Sequence, residues 1–205
     1  MNDYSMVCKR PKMPPSLRDS DIRPALRRLM RESEPSDSVV IEELGLGKGS
    51  VRVDLAVVNG IMHAYEIKSD FDTLRRLSTQ AAYYCKCFDR VSLVVGSKYL
   101  KLATKSIPPW WGIVRVTASD DGPHFSVVRK AHTNPSRDAR ALVELLWREQ
   151  ALALLECAGV ADGVRSKPRD MIWDRAAAML SLDDIAQAVR DHLKANAGRL
   201  GLSAP

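Results

Sequence analysis

Three side chains carry the first chemical suggestion in this sequence: Asp54 in "VRVDLAVV", and Glu66 and Lys68 in "AYEIK". Residues two apart on a strand project from one face, so Glu66 and Lys68 share a face while Tyr65 and Ile67 take the other. If Asp54 reaches that same face from the preceding strand, two carboxylates and an ammonium converge. Paired carboxylates offer hard oxygen ligands to Mg²⁺ or Mn²⁺. A bound ion can bring the pKa of its water from about 15.7 toward 7, and a neighbouring Lys can position that water or meet charge developing on a phosphate. That is the chemistry of phosphodiester hydrolysis. The same string also arises as a surface ion-pair ladder on a half-exposed strand, so the elements that position it decide its meaning.

The strands expected over 49–58 and 61–68 are separated by Asn59-Gly60. A two-residue turn would pair Val58 with Ile61, set Asp54 opposite Tyr65 and put the two carboxylates on opposite faces of the sheet. A three-residue loop Val58-Asn59-Gly60 with Gly60 left-handed, or a bulge, brings Asp54, Glu66 and Lys68 together. It also collects Val51, Val53, Leu55 and Val57 as an apolar face, opposite Arg52 and Asp54. The core pattern favours this second register.

Around this pair of strands the periodicity predicts a helix over 20–32, with Ser20 as N-cap, Pro24 early and Ile22, Ala25, Leu26 and Leu29 at helical spacing. A strand over 38–44 completes a three-strand meander. A helix over 72–88 follows, then a buried strand over 91–96, further strands over 112–118 and 124–130, and one long helix over 136–157 striped with Leu142, Leu145, Leu146, Leu152 and Leu155. Ser181 and Asp184 open a last helix as a capping box. Arg76, Gln80 and Tyr84 lie at i, i+4 and i+8, which aims a guanidinium, an amide and a phenol from the second helix toward the carboxylates. The order helix, meander, helix, strand is an α/β plan, divided as a flexible basic arm (1–18), a core (19–135) and a helical C-terminal extension (136–205).

An Asp in the second strand, Glu-x-Lys in the third and Gln-x-x-x-Tyr in the next helix, in this order, resemble the PD-(D/E)XK nuclease superfamily and its RecB-like members. The runs "YEIKSDFDTLRRLSTQAAYYCKCFDRVSLVV", "IPPWWGIVRV" and "LLWREQALALL" look like a bacterial and phage-associated branch of it. The resemblance covers about 21–156. It implies a restriction-endonuclease-like core and a Mg²⁺- or Mn²⁺-dependent deoxyribonuclease. Asp54, Glu66 and either Glu43 or Glu42 would hold the metal, Lys68 would stand beside the attacking water, and Gln80 and Tyr84 would complete the site. DNA would be the partner, met by Arg52 and Arg76. A DNA-binding or assembly module that keeps the fold without catalysis is the alternative.

Composition sets the outer limits. The 205 residues, 45% hydrophobic, can bury a sizeable core, and 31 basic against 25 acidic residues give a net charge of +6 that suits a polyanion. Cys8, Cys85, Cys87 and Cys157 form no CxxC pair and indicate neither zinc nor a disulfide framework, which suits a reducing cytoplasm. No segment approaches the roughly 20 apolar residues of a membrane span. His63, His124, His132 and His192 are scattered, "GLGKGS" feeds a strand instead of opening a helix, and of Trp110 and Trp111 at least one belongs to the core. Self-association, as a homodimer or within a larger complex, is left open.

Overall fold

The computed structural model describes residues 16–200. The basic arm therefore lies outside the described residues as far as residue 15, while Leu17 packs against the core and Arg18 precedes the first helix. Helix α1 (Asp19–Ser33) lays Ile22, Leu26 and Met30, spaced by four, on one face of the sheet. It starts one residue before Ser20, because the Arg18 N–H donates to the Asp21 carboxylate at 2.8 Å and Asp21 thereby takes the capping role expected of Ser20.

Strands β1 (Val39–Leu46), β2 (Val51–Val58) and β3 (Met62–Lys68) form the antiparallel meander. Helix α2 (Leu77–Cys87) crosses to β4 (Arg90–Gly96), parallel to β3. The short α3 (Leu100–Ser106) crosses to β5 (Gly112–Ser119), parallel to β4, and a hairpin adds β6 (Gly122–Arg129). The six strands lie side by side in sequence order. The sequence gives no sign of α3, whose seven residues bury only Ala103 and so carry no periodicity. Helix α2 begins at Leu77 instead of residue 72, because the Ser69 N–H and hydroxyl both donate to Asp72 and hold 69–72 in a turn.

The β2–β3 loop has the expected odd length, shifted by one residue. Val58 pairs with Met62, so the loop is Asn59-Gly60-Ile61. Gly60 is absent from the positive-φ residues, contrary to expectation; instead Asn59 Oδ1 accepts the Ile61 N–H at 2.9 Å and a side-chain bond closes the loop. The apolar face expected of β2 is also corrected. Val51 and Val53 share a core with Ala56 and Val58, whereas Leu55 and Val57 belong to the core under α1. On β1, Ile41 and Leu44, three apart, face the same core. Both strands thus change face by one residue at Glu43 and Asp54, and Glu43 has φ of 54°. Helices cover both sides of the sheet, so apolar residues are wanted on both faces and strict alternation is lost.

Beyond residue 136 the expected single helix is two, α4 (Ala139–Val143) and α5 (Arg148–Cys157). At the break Leu145 and Leu146 close i→i+3 bonds, the Leu146 carbonyl accepts from the Trp173 indole at 3.2 Å, and Trp147 meets the His192 ring edge-on at 4.9 Å. Packing against α6 (Arg169–Met179) and α7 (Leu182–Leu200) overrides the leucine stripe. Residues of α4 to α7 share one apolar core with α2 and the sheet, and α1 covers the opposite face. Trp111 is buried in that core. Among the described residues no helix is long and apolar enough to cross a membrane.

On the α1 side, His63 stacks on Tyr65 with ring centroids 4.3 Å apart, and its Nε2 lies 2.9 Å from Ser92 Oγ. Burial, and then the charge of Arg90, lower its pKa from 6.5 to about 4. The unfolded chain therefore takes up this proton first as pH falls, so the contribution of His63 to stability is complete above pH 6.5 and is lost between 6.5 and about 4. Urea titrations across that range should show His63→Gln losing less stability than wild type on acidification, by on the order of 3 kcal/mol. Equal losses would place the acid sensitivity in other groups.

Candidate active site

The β2–β3 ladder runs from Val58↔Met62 to Leu55↔Tyr65 and stops. One residue further, Asp54 stands opposite Glu66, and the strands part. The backbone groups released there find side-chain partners. Asp54 Oδ2 accepts the Ile67 N–H at 2.7 Å, the Asp54 carbonyl accepts from Arg23 at 3.1 Å, and the Arg52 carbonyl lies 2.9 Å from the Tyr84 hydroxyl, whose single proton it shares with Glu66. The gap is a cleft of about 510 Å³ lined by Asp19, Arg23, Glu43, Asp54, Glu66 and Lys68, with Arg52, Asp72, Arg76 and Gln80 among its other walls.

Glu66 is the floor of this cleft and is 1% exposed. Its Oε1 accepts from Lys68 Nζ at 2.5 Å and from Gln80 Nε2 at 2.6 Å, and its Oε2 accepts from the Tyr84 hydroxyl at 2.5 Å. The stripe on α2 works as expected: Tyr84 is buried, Gln80 half-buried, and Arg76 exposed at the lip. Tyr84 is held in turn by Trp111, stacked at 6.0 Å. Burial, followed by the negative charge of Asp54, raises the Glu66 pKa from 4.5 to about 7, while Lys68 and the Tyr84 hydrogen bond pull it back. Burial also drives the Tyr84 phenol far above its ordinary value, so it stays a donor.

Glu43 and Glu42, both candidates in the sequence with Glu43 slightly favoured, separate in the structure. Glu43 lines the cleft; Glu42 points elsewhere, its carboxylate 2.5 Å from Arg27 and lining a different hollow with Arg31 and Ser38. Glu42 is therefore removed from the candidate ligand set. The left-handed Glu43 is the reason, because it sends adjacent side chains in unrelated directions.

Two residues of the cluster escaped the sequence reading. Arg23 donates to Asp19 at 2.9 and 3.1 Å, to Glu43 at 2.6 Å and to Asp54 Oδ1 at 2.7 Å. Burial alone would lower its pKa; the hydrogen bonds and charges of Asp19 and Asp54 outweigh that and raise it. Asp19 and Arg23 are i, i+4 on α1, a spacing that in sequence reads as an ordinary helix-surface ion pair. Only the meeting of α1 with the β1–β2 irregularity turns it into a bridge across three carboxylates.

The donor set bears on a metal. Among the described residues no three His, Cys, Asp or Glu side chains already converge as a metal cage. Asp54 and Glu66 nonetheless oppose each other, and the charge of one raises the pKa of the other, which marks a place where added positive charge is favourable. Their hard oxygens fit Mg²⁺ or Mn²⁺. Arg23 holds one of the oxygens such an ion would need.

Together, fold and site define a mixed α/β protein whose parted strands cradle carboxylates between a guanidinium and an ammonium. The profile of the Bacteriophage P4 protein cII family matches residues 20–199, and the chain belongs to that family. Protein cII of Enterobacteria phage P4 is 28% identical over 179 residues, spanning 87% of this chain and 67% of that protein. Among solved structures, the SPO1766 protein of unknown function from Silicibacter pomeroyi is similar with a TM-score of 0.43 at 21% identity, over 72% of this chain and 94% of that one.

A metal ligated by Asp54 would have to compete with Arg23 for it, so on that reading Arg23→Met should bind Mn²⁺ at least about tenfold more tightly than wild type. In EDTA it should be less stable by on the order of 2 kcal/mol, as three carboxylates lose their shared cation. Calorimetric titration and thermal unfolding measure the two effects; weaker Mn²⁺ binding by the variant would mean that what Arg23 contributes by holding Glu43 and Asp54 in place outweighs its competition for Asp54.

Proposed function

We propose that the protein is a divalent-metal-dependent nuclease of the PD-(D/E)XK kind that hydrolyses phosphodiester bonds in DNA. The observation that carries this reading is the opposition of Asp54 and Glu66 across the parted strands, with Lys68 hydrogen-bonded to Glu66 in the same cleft. The order α1, meander, α2, β4 supports a restriction-endonuclease-like core around it.

Asp54 and Glu66 would hold Mg²⁺ or Mn²⁺, with Glu43 adjacent, and the ion would supply Lewis acidity and an acidified water. The chain itself contributes orientation and charge. Gln80 and Tyr84 fix the Glu66 carboxylate in one rotamer, so its oxygens meet a ligand without reorganising. Lys68, 6% exposed, carries an ammonium where a phosphate oxygen gaining charge could be met or a water oriented. Arg52 and Arg76 are exposed on the walls and offer guanidinium groups to the nucleic-acid backbone. A non-catalytic DNA-binding or assembly module is the second reading, favoured by the engagement of both Asp54 oxygens and both Glu66 oxygens within the protein.

Cleavage of plasmid and oligonucleotide DNA under Mg²⁺ or Mn²⁺ separates the readings. Asp54→Ala and Lys68→Ala should each lower cleavage by about 100-fold or more, whereas their binding in EDTA should move in opposite senses: Asp54→Ala holds or tightens, Lys68→Ala weakens modestly. Gln80→Ala should lose turnover with little loss of thermal stability. Wild-type protein that binds DNA but cuts under neither metal supports the second reading.

A further inference from the structure

Next to the cleft lies an aromatic ring that the core does not use. Phe71, in the loop between β3 and α2, is 60% exposed, whereas Phe88 is buried and Phe125 packs at the edge of the α1-side core. The loop that carries it is tied down. Ser69 donates twice to Asp72 Oδ2 (2.8 and 2.6 Å), the Phe71 N–H donates to Ser69 Oγ at 3.3 Å, the Tyr99 hydroxyl donates to the Asp72 carbonyl, and Lys98 Nζ donates to the Asp70 carbonyl at 3.1 Å. Asp70 also lies so close over β4 that a Cβ at Gly96 would stand 2.1 Å from its carboxylate. The Phe71 ring is thus exposed on a loop whose backbone is fixed at several points.

Cations stand near the ring, among the acidic side chains Asp19, Asp70 and Asp72. Arg18, at the start of α1, places its guanidinium 4.8 Å from the Phe71 ring centroid, and both residues are exposed. Their chain neighbours Asp19 and Asp72 line the cleft, so the Phe71–Arg18 pair stands next in the chain to its walls. Arg76, from the end of the same loop, is exposed and lines the cleft. Aromatic rings and guanidinium planes stack on bases, and the neighbouring cations meet the phosphates. Bases in a duplex are already stacked and must be unstacked before they can use such a ring; an unpaired base pays no such cost.

We infer that Phe71, with Arg18, is a base-stacking platform that makes the cleft select single-stranded DNA, or an unpaired end, over duplex. This rests on the nuclease reading for the identity of the polymer, but it is a statement about binding and is measured without catalysis. Fluorescence anisotropy in EDTA, with one labelled oligodeoxynucleotide presented as a single strand and as a blunt duplex, reads it directly. Wild type should prefer the single strand. Phe71→Ala should weaken single-strand binding about tenfold, in line with the loss of one stacked base, and leave duplex binding unchanged. Phe71→Trp should retain the preference. Phe71→Leu, which keeps apolar bulk without a π-face, should behave as Phe71→Ala, and thermal unfolding of all three should stay close to wild type.

Single-strand binding by Phe71→Leu at the wild-type level, an equal loss on both substrates, or a wild-type protein that favours duplex or binds no single strand would each overturn the platform. Metal-dependent cleavage, assayed separately, keeps the two readings apart. Cleavage by a Phe71→Ala protein that binds single strands normally removes the platform and leaves the nuclease. Phe71-dependent binding by a wild type that never cuts removes the nuclease and leaves the platform.

Discussion

The parting of β2 from β3 beyond Asp54 is the constraint on which the rest of the site depends. A continued antiparallel ladder would fill the space between Asp54 and Glu66 with backbone hydrogen bonds and leave no cleft. The interruption leaves backbone groups to be satisfied, and the partners are those the site needs in any case: the Asp54 carboxylate on the Ile67 N–H, the Tyr84 hydroxyl on the Arg52 carbonyl and the Arg23 guanidinium on the Asp54 carbonyl. The same side chains therefore hold the sheet open and arrange its polar groups. On β1 the matching irregularity is a non-glycine residue in the left-handed region, Glu43, a conformation that costs on the order of 1 to 3 kcal/mol and persists only when its surroundings hold it. Arg23, bonded to Glu43 and Asp54 together, is that hold.

Glu66 and Lys68 are an expensive feature if stability is the only consideration. Removing a carboxylate and an ammonium from water costs several kcal/mol per ion, and a well-packed apolar pair of similar volume is often as stable or more so. Three short hydrogen bonds to the Glu66 carboxylate, each contributing roughly 1.5 to 3 kcal/mol to a charged group, offset part of that cost. They do not restore its ordinary acidity, since burial and Asp54 still hold its pKa near 7. Buried charges whose pKa is displaced by a named neighbour, gathered in a cleft, are more characteristic of chemistry or ligand binding than of a structural ion pair.

Much of this was legible in the sequence, for reasons that can be separated. The meander, the helix that crosses from β3 to β4 and the grouping of Asp54, Glu66, Lys68, Gln80 and Tyr84 follow from short-range periodicity: two along a strand, four along a helix; the second crossover, through α3, does not. The parity argument at Asn59-Gly60 led to the right pairing of faces although the loop closes through the Asn59 side chain and not through a left-handed glycine. What escaped depends on tertiary contact. The face switch at Glu43 and Asp54 leaves no trace in a chain buried on both sides. The choice of Glu43 over Glu42 turns on one backbone dihedral. Arg23 and Asp19 look like solvent-exposed helix residues until α1 is docked, and the break between α4 and α5 is imposed by Trp173 and His192 from helices further along the chain.

The central claim is that Asp54 and Glu66 form one divalent-cation site across the parted strands, with Arg23 as its resident competitor. Anomalous diffraction from crystals soaked with Mn²⁺ tests it most directly. The account predicts a strong manganese peak between the Asp54 and Glu66 carboxylates, with the Arg23 guanidinium withdrawn from Asp54 Oδ1 and still paired with Asp19. A protein that keeps the Arg23–Asp54 pair intact and shows no manganese between those carboxylates at saturating metal would contradict it.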